Sequence, residues 1–286
     1  MTRTALDLFG TAEPILARRR LRAGPLSVLL EAGQLRDLRW HGVEAVRGIA
    51  YLLRDAAWGT VPLALSEPEV TEGEGAFAVA YAGRAEGASG RVTLRAAIRG
   101  EAGSGEGRLV VEATAAAVTD LLANRLGFVL PHPDHVAGHS LRVVHSDGST
   151  EVTAFPLRIS PDQPAFDIGR SSTSRRRGSR RASRWRAGSG EDQRNWADAS
   201  FKTYVRPLAW PRPYRVPAGT TDRQRVELRL SGRPRERTGC RGEAGAARRP
   251  GAARPPAPGR APPRPRGAAR PGPPPRPHPA GARRRA

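Results

Sequence analysis

Apolar residues fall at every second position in one short segment after another, and clusters of glycine separate the segments. Phe77-Ala-Val-Ala-Tyr81 alternates in this way, as do Arg91-Val-Thr-Leu-Arg-Ala-Ala-Ile98, Arg108-Leu-Val-Val-Glu-Ala-Thr114 and Asp222-Arg-Gln-Arg-Val-Glu-Leu-Arg-Leu230. A repeat of two is the period at which a strand turns successive side chains to opposite faces, so each segment reads as a strand with one buried face. Val226, Leu228 and Leu230 share such a face. Leu26-Ser-Val-Leu-Leu30 and Leu35-Arg-Asp-Leu-Arg-Trp40, followed by a His41-Gly42 turn, read as the start of a meander. Asp147-Gly148 between Leu141–His145 and Thr150–Phe155 signals a hairpin closed by a type I′ turn. One short helix is expected over Val118–Arg125. Many short strands with turns between them predict an all-β fold, an antiparallel β-sandwich of the super-sandwich kind, over residues 1–231.

The charge of the chain is distributed against that body. The 286 residues carry 48 Lys and Arg against 27 Asp and Glu, a net charge of +21. Gly169–Gly190 holds eight arginines and no acid, and Gly232–Ala286 holds fifteen arginines and two glutamates. These two segments account for the whole excess, and the remainder has 25 basic and 25 acidic residues. A nucleic-acid domain builds its basic face into the folded part, so that class is disfavoured. Arginine-rich segments still predict non-specific, salt-sensitive binding to polyanions, nucleic acid included. Of the 55 residues in the C-terminal segment, 50 are Gly, Pro, Ala or Arg, so little apolar area is available to offset ordering entropy, and a disordered tail is expected over 232–286. The single cysteine, Cys240, excludes a disulfide framework and a thiolate zinc site. No apolar run approaches the roughly 20 residues of a spanning helix, and the start of the chain has no apolar signal region. The expectation is a cytoplasmic protein with no membrane partner and no cofactor.

Gly169–Gly190 interrupts strand-like sequence without any turn logic, and reads as an out-of-frame segment. One permissible coding of Gly169–Ser189, read from its third base, yields Ala-Leu-Val-His-Glu-Gln-Ala-Pro-Gly-Val-Thr-Ala-Ser-Val-Ala-Met-Glu-Gly-Gly-Val. That peptide has two strand-like stretches around an Ala-Pro-Gly turn. The tail beyond Leu230 reads as a second shift.

Chemistry concentrates in Glu191-Asp-Gln-Arg-Asn-Trp-Ala-Asp-Ala-Ser-Phe-Lys-Thr-Tyr204. Glu191, Asp192, Arg194, Asn195, Asp198 and Lys202 stand there beside aromatic residues, the side-chain set that grips a polyol. The same set suits a network that ties a loop onto the sandwich. Asn124-Arg-Leu-Gly-Phe-Val-Leu-Pro-His132 adds Asn124 and His132 as candidates for ligand hydroxyls. His132 and His135 are three apart, but Pro133 between them argues against a helical metal-ligand pair, and no metal site is expected. Trp58 reads as core or rim. Gly103-Ser-Gly-Glu-Gly107 lacks the lysine and hydroxyl of a phosphate loop.

Leu21-Arg-Ala-Gly-Pro-Leu26, Ala123-Asn-Arg-Leu-Gly-Phe-Val-Leu-Pro-His-Pro133 and Glu191–Leu208 together resemble the D-apionate lactonase family. In that family the region before the Glu-Asp-Gln-Arg-Asn-Trp motif ends in a Met-Glu-Gly stretch, and the alternative-frame peptide supplies Met-Glu-Gly too. The resemblance covers residues 5–168 and 191–231. It implies an N-terminal β-rich domain followed by a TIM-barrel-like domain, in whose place this chain has the basic tail. The implied activity of the intact relative is hydrolysis of a sugar-acid lactone, D-apionolactone, in apiose breakdown. The resemblance assigns no catalytic residue within this chain, which is expected to be inactive alone. A non-catalytic carbohydrate-binding sandwich and a polyanion binder acting through the arginine-rich segments are the alternatives.

Overall fold

The computed structural model describes residues 6, 10, 16–87, 90–103, 105–160, 163–174, 183–185, 189–192, 200–206 and 211–232, with side chains omitted at 174, 183–185 and 189–192. The basic tail and Arg194, Asn195 and Asp198 lie outside these residues, as does most of the arginine-rich segment. In chain order the strands are β1 (Arg18–Ala23), β2 (Leu26–Glu31), β3 (Gln34–Trp40), β4 (Val43–Asp55), β5 (Ala64–Leu65), β6 (Glu69–Gly73), β7 (Ala76–Gly87), β8 (Gly90–Ala102), β9 (Glu106–Ala117) and β10 (Leu121–Pro131). Then follow β11 (Ser140–His145), β12 (Thr150–Ala154), β13 (Ala165–Phe166), β14 (Ile168–Ser174), β15 (Ser183–Trp185), β16 (Ser189–Asp192), β17 (Phe201–Tyr204), β18 (Tyr214–Val216) and β19 (Thr221–Ser231). All pairings are antiparallel, and the fold is the all-β sandwich that the alternation predicts.

One sheet runs β1-β2-β3-β4-β10-β17-β16-β13, with β18 also on β10. The facing sheet runs β19-β9-β8-β7-β5, with β6 on β7. Their inner faces interlock in one core that includes Leu21, Leu38 and Leu53 from the first, and Ile98, Leu109 and Val226 from the second. Trp40 at the end of β3 is 1% exposed and its indole N–H donates to Gly232 O at 2.8 Å. Gly107 on β9 makes room for that ring: a Cβ there would stand 2.3 Å from the Trp40 ring. The two residues join the sheets at one end of the sandwich.

The outer face of the second sheet shows where the arginines of the neutral body go. Glu227 on β19 accepts from Arg108, Arg225 and Arg229, each at 2.9 Å. These guanidiniums, Arg108 foremost, push its carboxyl down to about 2. Arg225 and Arg99 share Glu112. Such a ladder of opposite charges is how a sheet carries many arginines without net charge.

Two sequence expectations are corrected. Val118–Arg125 forms no helix: Leu121–Pro131 is a central strand, because Leu121, Ala123, Leu126 and Phe128 are all buried between β4 and its other neighbours. The β11–β12 hairpin exists, but only Gly148 takes a positive φ (88°), so the connection is a three-residue loop ending in a left-handed glycine. His145 N–H donates to Ser149 O, and Gly148 N–H to His145 O. The two-residue geometry appears instead at His41-Gly42, where both φ angles are positive (47° and 73°).

A smaller third sheet, β12-β11-β14-β15, packs over a second core of Leu141, Val143, Phe155, Ile168 and Phe201. His132 is buried beside it, 1% exposed, with its ring 5.6 Å from Phe155 and its Nε2 2.7 Å from Thr203 Oγ1. Burial pushes the imidazole down to about 4. Between pH 6.5 and 4 the unfolded chain therefore takes up a proton that the folded chain refuses, and stability falls with pH over that window. Folding free energy from denaturant titrations at pH 7 and pH 4 should show His132→Gln losing about 3 kcal/mol less than the parent chain on acidification. Equal losses would mean that this ring does not titrate in the window.

Candidate binding cleft

Strand β10 is complete along one edge and interrupted along the other. On one side β4 pairs with it from Ala123 to Val129. On the other, β17 covers Val129–Pro131 and β18 covers Leu121–Ala123, and among the described residues no strand pairs with the stretch between them. The gap is the floor of a cleft of about 650 Å³. Buried backbone groups in such a gap must find partners or cost free energy. Gln224 of β19 supplies them: its Oε1 accepts from Phe128 N–H at 2.9 Å, and its Nε2 donates to Leu126 O at 3.1 Å. Val205 N–H reaches Phe128 O at 3.1 Å. Gly127, with φ 146°, makes the approach feasible, since a Cβ there would stand 2.4 Å from the Gln224 amide.

The same amide leads to the cleft wall. Gln224 Nε2 also donates to Asp222 Oδ2 at 2.7 Å, and Asp222 Oδ1 accepts from Arg206 Nη2 at 2.9 Å. The Arg206 guanidinium lies 4.7 Å from the Tyr214 ring centre. Burial pushes the Tyr214 phenol up, so it stays neutral. The lining also includes Arg54, Arg125, Lys202 and Arg212. Arg125 lies 4.4 Å from the Tyr204 ring centre and 5.5 Å from that of Trp58, and Arg212 is also 5.5 Å from Trp58. Among the described residues, the lining holds five cations and four aromatic rings, and no carboxylate, imidazole or thiol.

Trp58 stands on the rim, 47% exposed, with φ 67°. A left-handed backbone at a bulky residue costs on the order of 1 kcal/mol and persists only where its surroundings impose it. Here Asp55 imposes it. Its carboxylate accepts from Ala57 N–H and Gly59 N–H at 2.9 and 2.7 Å, and its carbonyl accepts from Trp58 N–H at 3.1 Å. The loop is tied to β10 by Asn124, whose Nδ2 donates to Ala56 O at 2.9 Å. Asn124 is the extra residue of a bulge in the β4–β10 register, and the bulge turns its side chain to the loop.

Of the residues singled out by sequence, Asn124 and Lys202 come together in this cleft. His132 does not: its ring is buried against Thr203, so the expectation that it meets a ligand hydroxyl is corrected. Glu191 and Asp192 lie on β16, in register with Lys202 and Phe201 of β17. Among the described residues, no group of three or more His, Cys, Asp or Glu gathers as metal ligands, and no helix is long and apolar enough to cross a membrane. Sequence reasoning read Trp58 as core or rim, and passed over Arg125, Tyr204, Arg206, Arg212, Tyr214 and Gln224. Gln224 carries a legible signal, a polar residue at an inward position of an otherwise apolar strand face.

Gln224→Ala leaves Leu126 O and Phe128 N–H without their partner and should cost about 3 kcal/mol of folding stability, measured by denaturant titration. A loss under about 1 kcal/mol would mean that water replaces the amide without difficulty.

The sequence comparisons agree with one another. Residues 6–233 match the family described as D-apionate lactonase, N-terminal domain. The D-apionate lactonase of Brucella anthropi is 38% identical over 228 residues, which is 78% of this chain and 37% of that protein's length. Among solved structures, a galactose mutarotase related enzyme from Lactobacillus acidophilus aligns over 76% of this chain and 98% of its own, with a TM-score of 0.40 and 8% identity. A galactose mutarotase-like protein from Lactobacillus casei aligns over 75% of this chain and 100% of its own, with a TM-score of 0.42 and 10% identity. Those likenesses bear on neither activity nor ligand. With the family match spanning the whole sandwich, the chain belongs to the D-apionate lactonase N-terminal domain family.

Proposed function

We propose that this chain is the N-terminal β-sandwich of a sugar-acid lactone hydrolase, and that its part is to hold a polyhydroxylated ligand while the ester is cleaved elsewhere. The observation that carries the reading is the 38% identity to a D-apionate lactonase of which the chain spans 37%. Lactone hydrolysis needs an activated water and donors aimed at the developing oxyanion. The cleft has donors in abundance, but its described lining contains no carboxylate or imidazole to serve as base. In this reading Lys202 and Asn124 act at the cleft, and Glu191, Asp192, Arg194, Asn195 and Asp198 complete the grip on the polyol. Assayed side by side on D-apionolactone, the Brucella anthropi protein should release acid and the purified chain should not. Turnover by the chain alone would overturn the division of labour.

We also infer that Gly169–Gly190 is read out of frame. In support, the family match extends on both sides of it, from residue 6 to residue 233. The alternative frame offers a strand-like peptide that contains the family's Met-Glu-Gly near its end. Resequencing of the gene from the codon of Asp167 to that of Glu191 should reveal one inserted or deleted base near each end. An unchanged sequence would remove this inference.

A further inference from the structure

We infer that a recess on the outer face of the second sheet, bounded by Arg84, Arg95 and Arg223, binds a small multivalent oxyanion, a compound with two or more carboxylate or phosphate groups on a short scaffold. The recess shares no residue with the cleft, and the inference stands independently of the lactone-hydrolase reading. Strand register builds it. Arg84 on β7, Thr93 on β8, Ala116 on β9 and Thr221 on β19 stand opposite one another in one rung. Ala82, Arg95, Thr114 and Arg223 form the next rung in the same strand order. The alternate residues of these strands, such as Leu94 and Ala115, are buried in the core, so both rungs face outward. Ala82 and Ala116 keep the floor low between the long side chains, and Ala64–Ser66 walls it beside β7. The recess measures about 840 Å³.

Its charge is unanswered. Over the adjoining rungs Glu112 and Glu227 hold Arg99, Arg108, Arg225 and Arg229. That ladder ends at the rung of Glu112 and Arg225. Among the described residues, no carboxylate pairs with the guanidiniums of Arg84, Arg95 and Arg223, and the lining of the recess holds no acid. Strand β15, which lies beside β19, is Ser-Arg-Trp and brings no carboxylate. Spacing sets the valence of the ligand. Arg84 and Arg95 are diagonal neighbours on adjacent strands, with Cβ atoms about 7–8 Å apart. Arg95 and Arg223 are two strands apart, about 9–10 Å. Long guanidinium side chains at such spacings close in pairs on one oxyanion, to which they present a matching fork of N–H donors. Thr93 sets a hydroxyl beside the first pair, and Thr114 stands between the second. Two anion seats that share Arg95 therefore lie about one strand spacing apart. The flanks set the size. Glu86 stands opposite Arg91 one rung beyond Arg84, and Glu69 and Glu112 stand in the rung on the other side. Carboxylates at both ends repel a polyanion that runs on along the strands, so a short ligand is favoured over a polymer. Single-stranded nucleic acid also uses stacking rings, and the lining of the recess has none.

The test is titration calorimetry of the full chain with sodium citrate, 2,3-bisphosphoglycerate, sodium acetate, inorganic phosphate and heparin. Citrate or bisphosphoglycerate should bind one to one, and the tighter of the two identifies the preferred oxyanion as carboxylate or phosphate. Acetate and inorganic phosphate offer one anionic group each and should bind at least about tenfold more weakly, the loss expected when a charge-assisted pair goes unused. Arg95→Gln removes the guanidinium shared by both seats and should weaken the tighter ligand by at least about tenfold. Arg223→Gln, which empties one side of the second seat, should weaken it as well and is the second variant. Arg99→Gln, on the same face but held by Glu112, should leave the affinity unchanged. Heparin binding, carried by the arginine-rich segments, should be the same in the parent chain and in Arg95→Gln. Failure of both citrate and bisphosphoglycerate to bind would overturn the site. Binding that survives Arg95→Gln and Arg223→Gln would belong to the arginine-rich segments and would overturn it too. Acetate or phosphate binding as tightly as the multivalent ligand would remove the paired seats. Heparin losing affinity in step with the small ligand would make this face a polyanion surface and overturn the assignment to a small molecule.

Discussion

The amide of Gln224 stands where, among the described residues, no strand pairs with β10. Between β17 and β18 no described strand continues the ladder on β10, and an open ladder inside a protein leaves donors and acceptors that cost free energy unless met. One side chain from the opposite sheet meets Phe128 N–H and Leu126 O, and Gly127 lacks the Cβ that would block it. The cleft, the arginines that line it and the contact between the two sheets at this level all depend on that substitution of side chain for backbone. It also transmits order outward, because the amide holds Asp222, and Asp222 holds Arg206.

The two faces of the molecule handle arginine in opposite ways. On the outer sheet face Glu227 and Glu112 stand among the guanidiniums, so charge is cancelled along the pleat. In the cleft Arg125, Arg206 and Arg212 lie against aromatic rings, and Arg206 also pairs with Asp222. Aromatic faces orient a cation without neutralising it. A chain whose sandwich is neutral in sum thus gathers five basic side chains around one recess, and composition alone could not reveal it.

Much of the architecture was legible because alternation is local. Strands β7, β8, β9 and β19 lie where the period of two places them, and Val226, Leu228 and Leu230 do face one core. Val118–Arg125 misled because a short apolar run is too brief to show its period, and the burial of Leu121 and Ala123 beside the exposed Leu122 is decided by strands distant in sequence. Asp147-Gly148 marked the right turn but not its type, since only the glycine needed the left-handed region. His132 looked like a polar residue of a loop motif, yet it follows Pro131 at the end of β10 and its ring turns inward to Thr203.

From residues alone came the all-β class, the turn positions, the neutral body outside two arginine-rich segments and the resemblance carried by the motif at Glu191–Leu208. These are properties of short windows, and short windows are complete in the sequence. The cleft belongs to tertiary structure. Trp58, Arg125, Arg206 and Arg212 come from separate turns and strands, and the bond that keeps their floor open joins Phe128 to a side chain 96 positions away. No local pattern records a missing strand, because the gap exists only once the ladder around it has formed.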